Sequence, residues 1–182
     1  MKRQLAMTLF ASAVVSLNAG PAPSQDDAGV RKELEAQYLK LAEAHDRRDL
    51  TAIVGLKTTD FHAILPDGRV GDSKLMEEYS RQFLEGNQPP YNIRFTIQKL
   101  TVSENKLIAV AEVFQEAARY RELAGKRRRV ETSVVQRETW AKTVGGWRLK
   151  SVDNVRDQKR FVDGKRVDPA KPYDPDAAPY NP

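Results

Sequence analysis

The chain has 182 residues, 30% charged and 40% hydrophobic, a balance that fits one globular domain rather than a disordered or membrane protein. It contains no cysteine, which excludes disulfides, thiolate metal sites, iron–sulfur clusters, a cysteine nucleophile and the lipid-attachment residue of an exported lipoprotein. The formal net charge is +5.

Residues 1–19 have the three parts of a secretory signal: Lys2 and Arg3, an apolar run from Leu5 to Leu17, and small residues around Asn18, Ala19 and Gly20. Cleavage is expected after Ala19, because a cut after Ala22 would place Pro23 just past the scissile bond. Read instead as an uncleaved anchor, the thirteen-residue run falls short of the ~20 residues that span a bilayer. Removing Lys2 and Arg3 lowers the formal charge from +5 to +3, so part of the basicity belongs to targeting and nucleic acid is not an expected partner. The expected mature protein is exported, periplasmic or secreted, and soluble. Residues 20–29 read as a linker.

From residue 30 the pattern is helical. Val30, Leu34, Tyr38, Leu41 and Ala42 recur at spacings of three and four, and the charged residues fall mostly on other faces. A short second helix follows, with Asp49 as N-cap and Leu50, Ile53, Val54 and Leu56 apolar. Asp60 to Leu65 reads as a strand turned by Pro66-Asp67-Gly68. Asp72 and Ser73 can cap a third helix, which carries Leu75, Met76, Tyr79, Phe83 and Leu84 and stops at Gly86. The second half reads as strand. Ile93, Phe95 and Ile97 alternate with polar residues, and runs over 107–120, 130–143 and 147–152 follow, joined by turns at Glu104-Asn105, Ala124-Gly125 and Gly145-Gly146. Helices first and a meander afterwards imply an α+β domain with the helices on one face of an antiparallel sheet.

The element order resembles the nuclear-transport-factor-two-like superfamily, as do the run from Asp49 to Leu56, then Asp60-Phe61, then Leu65-Pro66-Asp67-Gly68. Together with Trp140 and Gly146-Trp147, these residues are most similar to its SnoaL-like and ketosteroid-isomerase-like branch. The likeness covers residues 30–155. It implies a cone-shaped, curved antiparallel sheet packed against N-terminal helices (a cystatin-like α+β barrel), a pocket inside the cone, and often a homodimer through the outer sheet face. It implies no reaction, because the fold hosts enzymes, binding modules and adaptors. Ketosteroid isomerases of this kind use a helix tyrosine, an aspartate before the proline that ends the first strand, and a protonated aspartate on the penultimate strand. Those positions fall on Leu41, Leu65 and near Glu138. A leucine neither abstracts a proton nor donates to an oxyanion, so the isomerase mechanism is not expected.

The expected pocket residues are Tyr38, Leu41, Leu65, Gln136, Glu138 and Trp140. Gln136, Glu138 and Trp140 share one face of their strand, and Arg137, Thr139 and Ala141 the other. Two readings of Glu138 stay open: a buried carboxylate beside an indole, with a raised pKa and acid or base character, or a partly exposed residue paired with Arg94 or Arg137. For Tyr38, a hydroxyl pointing into the cone competes with one wetted at the helix surface. His62 alternates with Phe61 and Ala63 and is expected to face outward. His45 lies in a charged helix end, and two histidines so far apart support no metal site. No cofactor is expected.

The basic run Lys126, Arg127, Arg128, Arg129 sits at a hairpin tip and reads as a solvated strand end, with contact to anionic headgroups or envelope polymers as the alternative. Residues 156–182 read as a Pro-rich C-terminal arm. In it Asp163-Gly164 can turn a small hairpin, and Tyr173 and Tyr180 can lie along the domain or a partner subunit. Two functions are carried forward: an exported module binding a small hydrophobic or polar ligand in its conical pocket, or a cofactor-independent lyase, isomerase or hydrolase using Glu138, Tyr38 or both.

Overall fold

The computed structural model describes residues 25–65 and 68–180. The expected signal, the first part of the linker and Pro66-Asp67 lie outside the described residues. Among the described residues no helix is long and apolar enough to cross a membrane.

Among the described residues ten elements follow one another: α1 (Gln25–Asp46), α2 (Leu50–Gly55), β1 (Lys57–Ile64), β2 (Val70–Asp72), α3 (Ser73–Gly86), β3 (Arg94–Val102), β4 (Ile108–Leu123), β5 (Lys126–Thr143), β6 (Gly146–Val162) and β7 (Lys165–Val167). Both shorter helices start where a side chain satisfies a free backbone donor. The Asp49 carboxylate accepts from the Ala52 amide and the Asp72 carboxylate from the Leu75 amide, at 2.9 and 2.8 Å.

The fold is α+β, as the element order implies. One curved sheet runs in the order β2-β1-β6-β5-β4-β3, with β7 added beside β6. It is antiparallel except where β1 runs parallel to β6. That pair joins segments far apart in sequence, which a reading of local turns does not detect. The turns between β4 and β5 and between β6 and β7 are each two residues long, Ala124-Gly125 and Asp163-Gly164, and all four residues have positive φ. This geometry matches the natural twist of paired strands.

Curvature is concentrated on β6. Between Trp140 and Ser133 of β5 the register slips three times, and each time β6 contributes one extra residue. Two of these bulges coincide with Asn154 and Asp157, at φ 47° and 55°. Asn and Asp tolerate that left-handed backbone better than most residues, and a bulge bends its strand and increases the twist. The sheet therefore wraps around α1 instead of lying flat beneath it. β6 also runs past residue 155, to Val162.

Two clusters fill the concave side. In the first, Val30, Leu34 and Tyr38 of α1 pack on Phe61, Ala63, Ile97, Ala109, Ala111, Val113, Trp140, Trp147 and Leu149. The second joins Ala44, Ile53, Leu84, Tyr91, Ile93 and Ala117. α1 lies over the edge strand β3, where the Arg31 guanidinium donates to the Ile97 carbonyl at 2.9 Å. That contact occupies one of the backbone acceptors a free edge would present. The C-terminal arm folds back on its own domain. Arg128 stands over the Tyr173 ring at 5.3 Å and Arg166 over Tyr180 at 5.8 Å, and the Tyr180 amide donates to the Arg166 carbonyl.

Trp140 and Trp147 are the largest of the fully buried side chains among the described residues, each 1% exposed. Replacing Trp140 with alanine should destabilise the protein by about 3–5 kcal/mol through the cavity left behind. Urea unfolding of the two proteins measures this, and a Trp140→Ala protein of unchanged stability would contradict the packing described.

Candidate functional site

Strand alternation places Gln136, Glu138 and Trp140 of β5 on the concave face, under α1. Room for the indole and the carboxylate comes from β4, whose residues opposite Trp140 and Glu138 are Ala109 and Ala111, both fully buried. One helical turn beyond Leu34, Tyr38 brings its ring to the same spot. It stacks on Phe95 (centroids 4.8 Å, planes 17° apart) and meets Trp140 edge-on at 5.3 Å.

At the centre is the Glu138 carboxylate, 2% exposed. Oε2 accepts from the Tyr38 hydroxyl at 2.7 Å and from the Trp140 indole Nε1 at 3.0 Å, and Oε1 accepts from the Gln136 amide at 2.6 Å. None of the three donors carries a positive charge. Burial pushes the Glu138 carboxyl above the usual range, while the hydrogen bonds from Tyr38, Gln136 and Trp140 pull the other way without overcoming it. Burial also raises the Tyr38 hydroxyl, and the neighbouring carboxylate adds to that, so Tyr38 stays protonated and donates. Gln136 is only half-buried, which puts it on the solvent side of the network.

The buried reading of Glu138 is therefore the one the structure bears out. The carboxylate pairs with neither Arg94 nor Arg137; Arg137 points to the opposite face and binds Asp153. The Tyr38 hydroxyl likewise points inward. Of the six expected pocket residues, Tyr38, Gln136, Glu138 and Trp140 come together. Leu41 is half-buried against the second cluster, and Leu65 is half-buried at the β1–β2 turn, so neither belongs to the hydrogen-bonded group. His62 sits between the buried Phe61 and Ala63 and faces away from them, opposite Asp72 and Ser151 in the sheet.

Sequence reading missed Glu33 and Phe95 as parts of the site. The Trp147 indole donates to Glu33 Oε2 at 2.6 Å, and Lys142 pairs with the same oxygen. The hydrogen bonds from Lys142 and Trp147 hold the Glu33 carboxyl below the usual range. The available signal was Trp147 itself, since a buried indole N–H needs an acceptor and α1 offers one there. Farther along α1, against Phe83 and Tyr91, burial lowers the His45 imidazole from its ordinary value; its Nδ1 lies 2.7 Å from the Leu41 carbonyl. The half-buried Lys57 stands 5.0 Å from the Phe61 ring centre.

A cleft of about 590 Å³ lies elsewhere, on the outer face, between Arg94, Glu116, Arg129, Glu131 and Phe161. Arg129 and Glu131 pair with one another there at 2.8 Å, so the cleft is a solvated crease with its charges partly balanced. The concave site is the better functional candidate because its charge is buried with no countercharge among the described residues. That arrangement suits accepting a hydrogen bond from a bound molecule, or exchanging a proton with it.

No protein-family model and no curated protein matches the sequence. Solved structures do match. A conserved protein from Planctomyces limnophilus is 14% identical, with a TM-score of 0.58 over 71% of this chain and 98% of its own. A nuclear transport factor 2 (NTF2-like) superfamily protein from Salmonella enterica is 17% identical, with a TM-score of 0.53 over 83% of this chain and 99% of its own. A suspected dehydratase of the NTF2-like family from Streptomyces avermitilis is 15% identical, with a TM-score of 0.52 over 70% of this chain and 95% of its own. Element order, curved sheet and these likenesses agree that the chain has the NTF2-like fold.

Proposed function

We propose that the protein is a small-molecule-binding module whose polar anchor is the Glu138 carboxylate on the floor of the cone. The observation that carries this reading is a carboxylate 2% exposed, held by three neutral donors and no cation. Burying a charge without a countercharge costs several kcal/mol, and a core selected only for stability is served as well or better by apolar side chains. Tyr38, Phe95 and Trp140 pack their rings around the carboxylate, and the half-buried Gln136 donates to its Oε1. A ligand with its own donor group can replace Gln136 there. Such a ligand is neutral and largely apolar, since an anion is repelled by Glu138. This combination of apolar walls and few polar anchors is what small-molecule sites usually show.

A second reading, acid–base catalysis on the same ligand, is favoured by the raised Glu138 carboxyl, which brings its proton exchange closer to neutral pH. In that case the protein is a cofactor-independent lyase, isomerase or hydrolase. The ketosteroid isomerase mechanism is not proposed, because Leu41 and Leu65 stand where its tyrosine and its base are expected.

A ligand-bearing interior can be tested with phenol, a neutral aromatic donor. In a ¹H–¹⁵N spectrum the Trp140 indole N–H should shift saturably as phenol is added, and Glu138→Gln should weaken the apparent binding about tenfold, the effect of losing one hydrogen bond to a charged group. An indole signal unmoved by phenol would count against the reading.

The proposal extends to location and assembly: an exported protein, processed after Ala19, that pairs with a second copy through the outer face of the sheet. The signal-like residues 1–19 support export. On the outer face, Val135 lies opposite Phe114 and next to the Arg137–Asp153 and Arg156–Glu112 ion pairs, a small apolar spot with a charged rim. Native mass spectrometry of protein recovered from producing cells should give twice the mass of a chain beginning at Gly20. A single-chain mass, or one that retains residues before Ala19, would overturn the corresponding half of this proposal.

A further inference from the structure

We propose that the end of the concave face far from Glu138 binds a small oxyanion, a carboxylate or phosphate group, through Arg119, Arg121 and Arg160. This site is independent of the one at Glu138. Along β5, Thr132 is six residues from Glu138, which at ~3.3 Å per residue places the two sites about 20 Å apart.

Three adjacent strands contribute to it. On β4, Arg119 and Arg121 alternate with Tyr120 and so share a face. Thr132 of β5 lies opposite both Ala117 of β4 and Arg160 of β6. The partners of these guanidinium groups are neutral. Arg119 donates to Asn87 Oδ1 at 3.0 Å and to Thr132 Oγ1 at 2.8 Å, and its charged end stands 5.1 Å from the Phe83 ring centre. Arg160 donates through Nη2 to the carbonyls of Asp168 and Lys171, at 2.7 and 2.6 Å, while its Nε is buried with no partner. Arg121 is exposed and reaches over Gly86, where its Nη2 is 3.8 Å from the place a β-carbon would take.

Burial, with repulsion from Arg121 and Arg160, lowers Arg119 from its ordinary value to about 10. Burial likewise lowers Arg160; Asp168 opposes that shift and Arg121 adds to it. The negative charge at hand is small. Asp168 is shared with Lys171, 3.5 Å away, and the C-terminal end of α3 at Gly86 offers only about half a unit charge. Three guanidinium groups that repel one another, one of them with an orphaned N–H, therefore remain short of negative charge. The planar, forked donors of arginine match carboxylate and phosphate oxygens, so an oxyanion supplies both the charge and the missing acceptor.

Isothermal titration of the purified protein with inorganic phosphate, and separately with succinate, in chloride buffer of constant ionic strength tests this directly. One saturable site is expected for at least one of the two. Arg121→Gln should weaken it about tenfold, the usual effect of losing a charged hydrogen bond. Among the described residues the Arg121 side chain makes no hydrogen bond, so the substitution should leave the circular dichroism spectrum unchanged. Arg81→Gln removes the same charge on the exposed face of α3, where Arg81 pairs with Glu77 and Glu78, and should leave binding intact. Absence of saturable heat with both anions, parent-like binding by Arg121→Gln, or equal weakening by Arg81→Gln would each overturn the proposal.

Discussion

The Glu138 carboxylate joins elements that are a hundred residues apart in the chain, because its shortest bond to α1 comes from the Tyr38 hydroxyl and its other two donors, Gln136 and Trp140, flank it on β5. Hydrogen bonds to a charged group contribute roughly 1.5–3 kcal/mol each, more than neutral ones, and one that spans helix and sheet fixes their relative placement. Two further contacts from the same stretch of α1 hold it in register: Arg31 on the Ile97 carbonyl and Glu33 on the Trp147 indole. Helix α1 is thus fastened to β3, β5 and β6 within eight residues. The interior geometry, including the stack of Tyr38 on Phe95, follows from that fastening.

The sheet has to curve for one helix to touch three of its strands. The extra residues on β6 provide that curvature, and Asn154 and Asp157 supply the left-handed backbone at two of the bulges. Small residues complete the fit. Without Ala109 and Ala111 opposite Trp140 and Glu138, neither the indole nor the carboxylate could lie beneath the helix. Farther along the same strands α1 no longer covers the sheet. There arginines replace alanines, and the concave face changes from acidic to basic.

Much of this was legible in the sequence. Periodicity gave the helices and the long strands, Asp49 and Asp72 marked helix starts, and Ala124-Gly125 and Asp163-Gly164 marked turns, because each depends on local chemistry. Alternation along β5 also grouped Gln136, Glu138 and Trp140 correctly. The inward position of Glu138 was not decided by the sequence, since a carboxylate is usually exposed and one of its three donors, Tyr38, lies a hundred residues away in the chain. The parallel pairing of β1 with β6 and the bulges on β6 were equally hidden, both being consequences of long-range register. Leu41 and Leu65 were placed by analogy to a mechanism rather than by pattern, and they lie outside the hydrogen-bonded group.

The central claim is that burial outweighs the three hydrogen bonds, so that Glu138 is held in the fold at the expense of stability. A carboxyl whose folded pKa is raised stabilises the fold only while protonated. Its contribution is complete below about 4.3, the ordinary glutamate value, and is lost as pH rises through the folded value. Glutamine keeps the shape, accepts from Tyr38 and Trp140, and carries no charge at any pH. Urea unfolding of the parent and Glu138→Gln proteins across pH 4 to 8 tests the claim most directly. The account predicts a glutamine protein that is the more stable at neutral pH, with the gap closing as pH falls towards 4. A glutamine protein that is the less stable at neutral pH, with the deficit shrinking on acidification, would mean that the hydrogen bonds win and that the charge is there for structure.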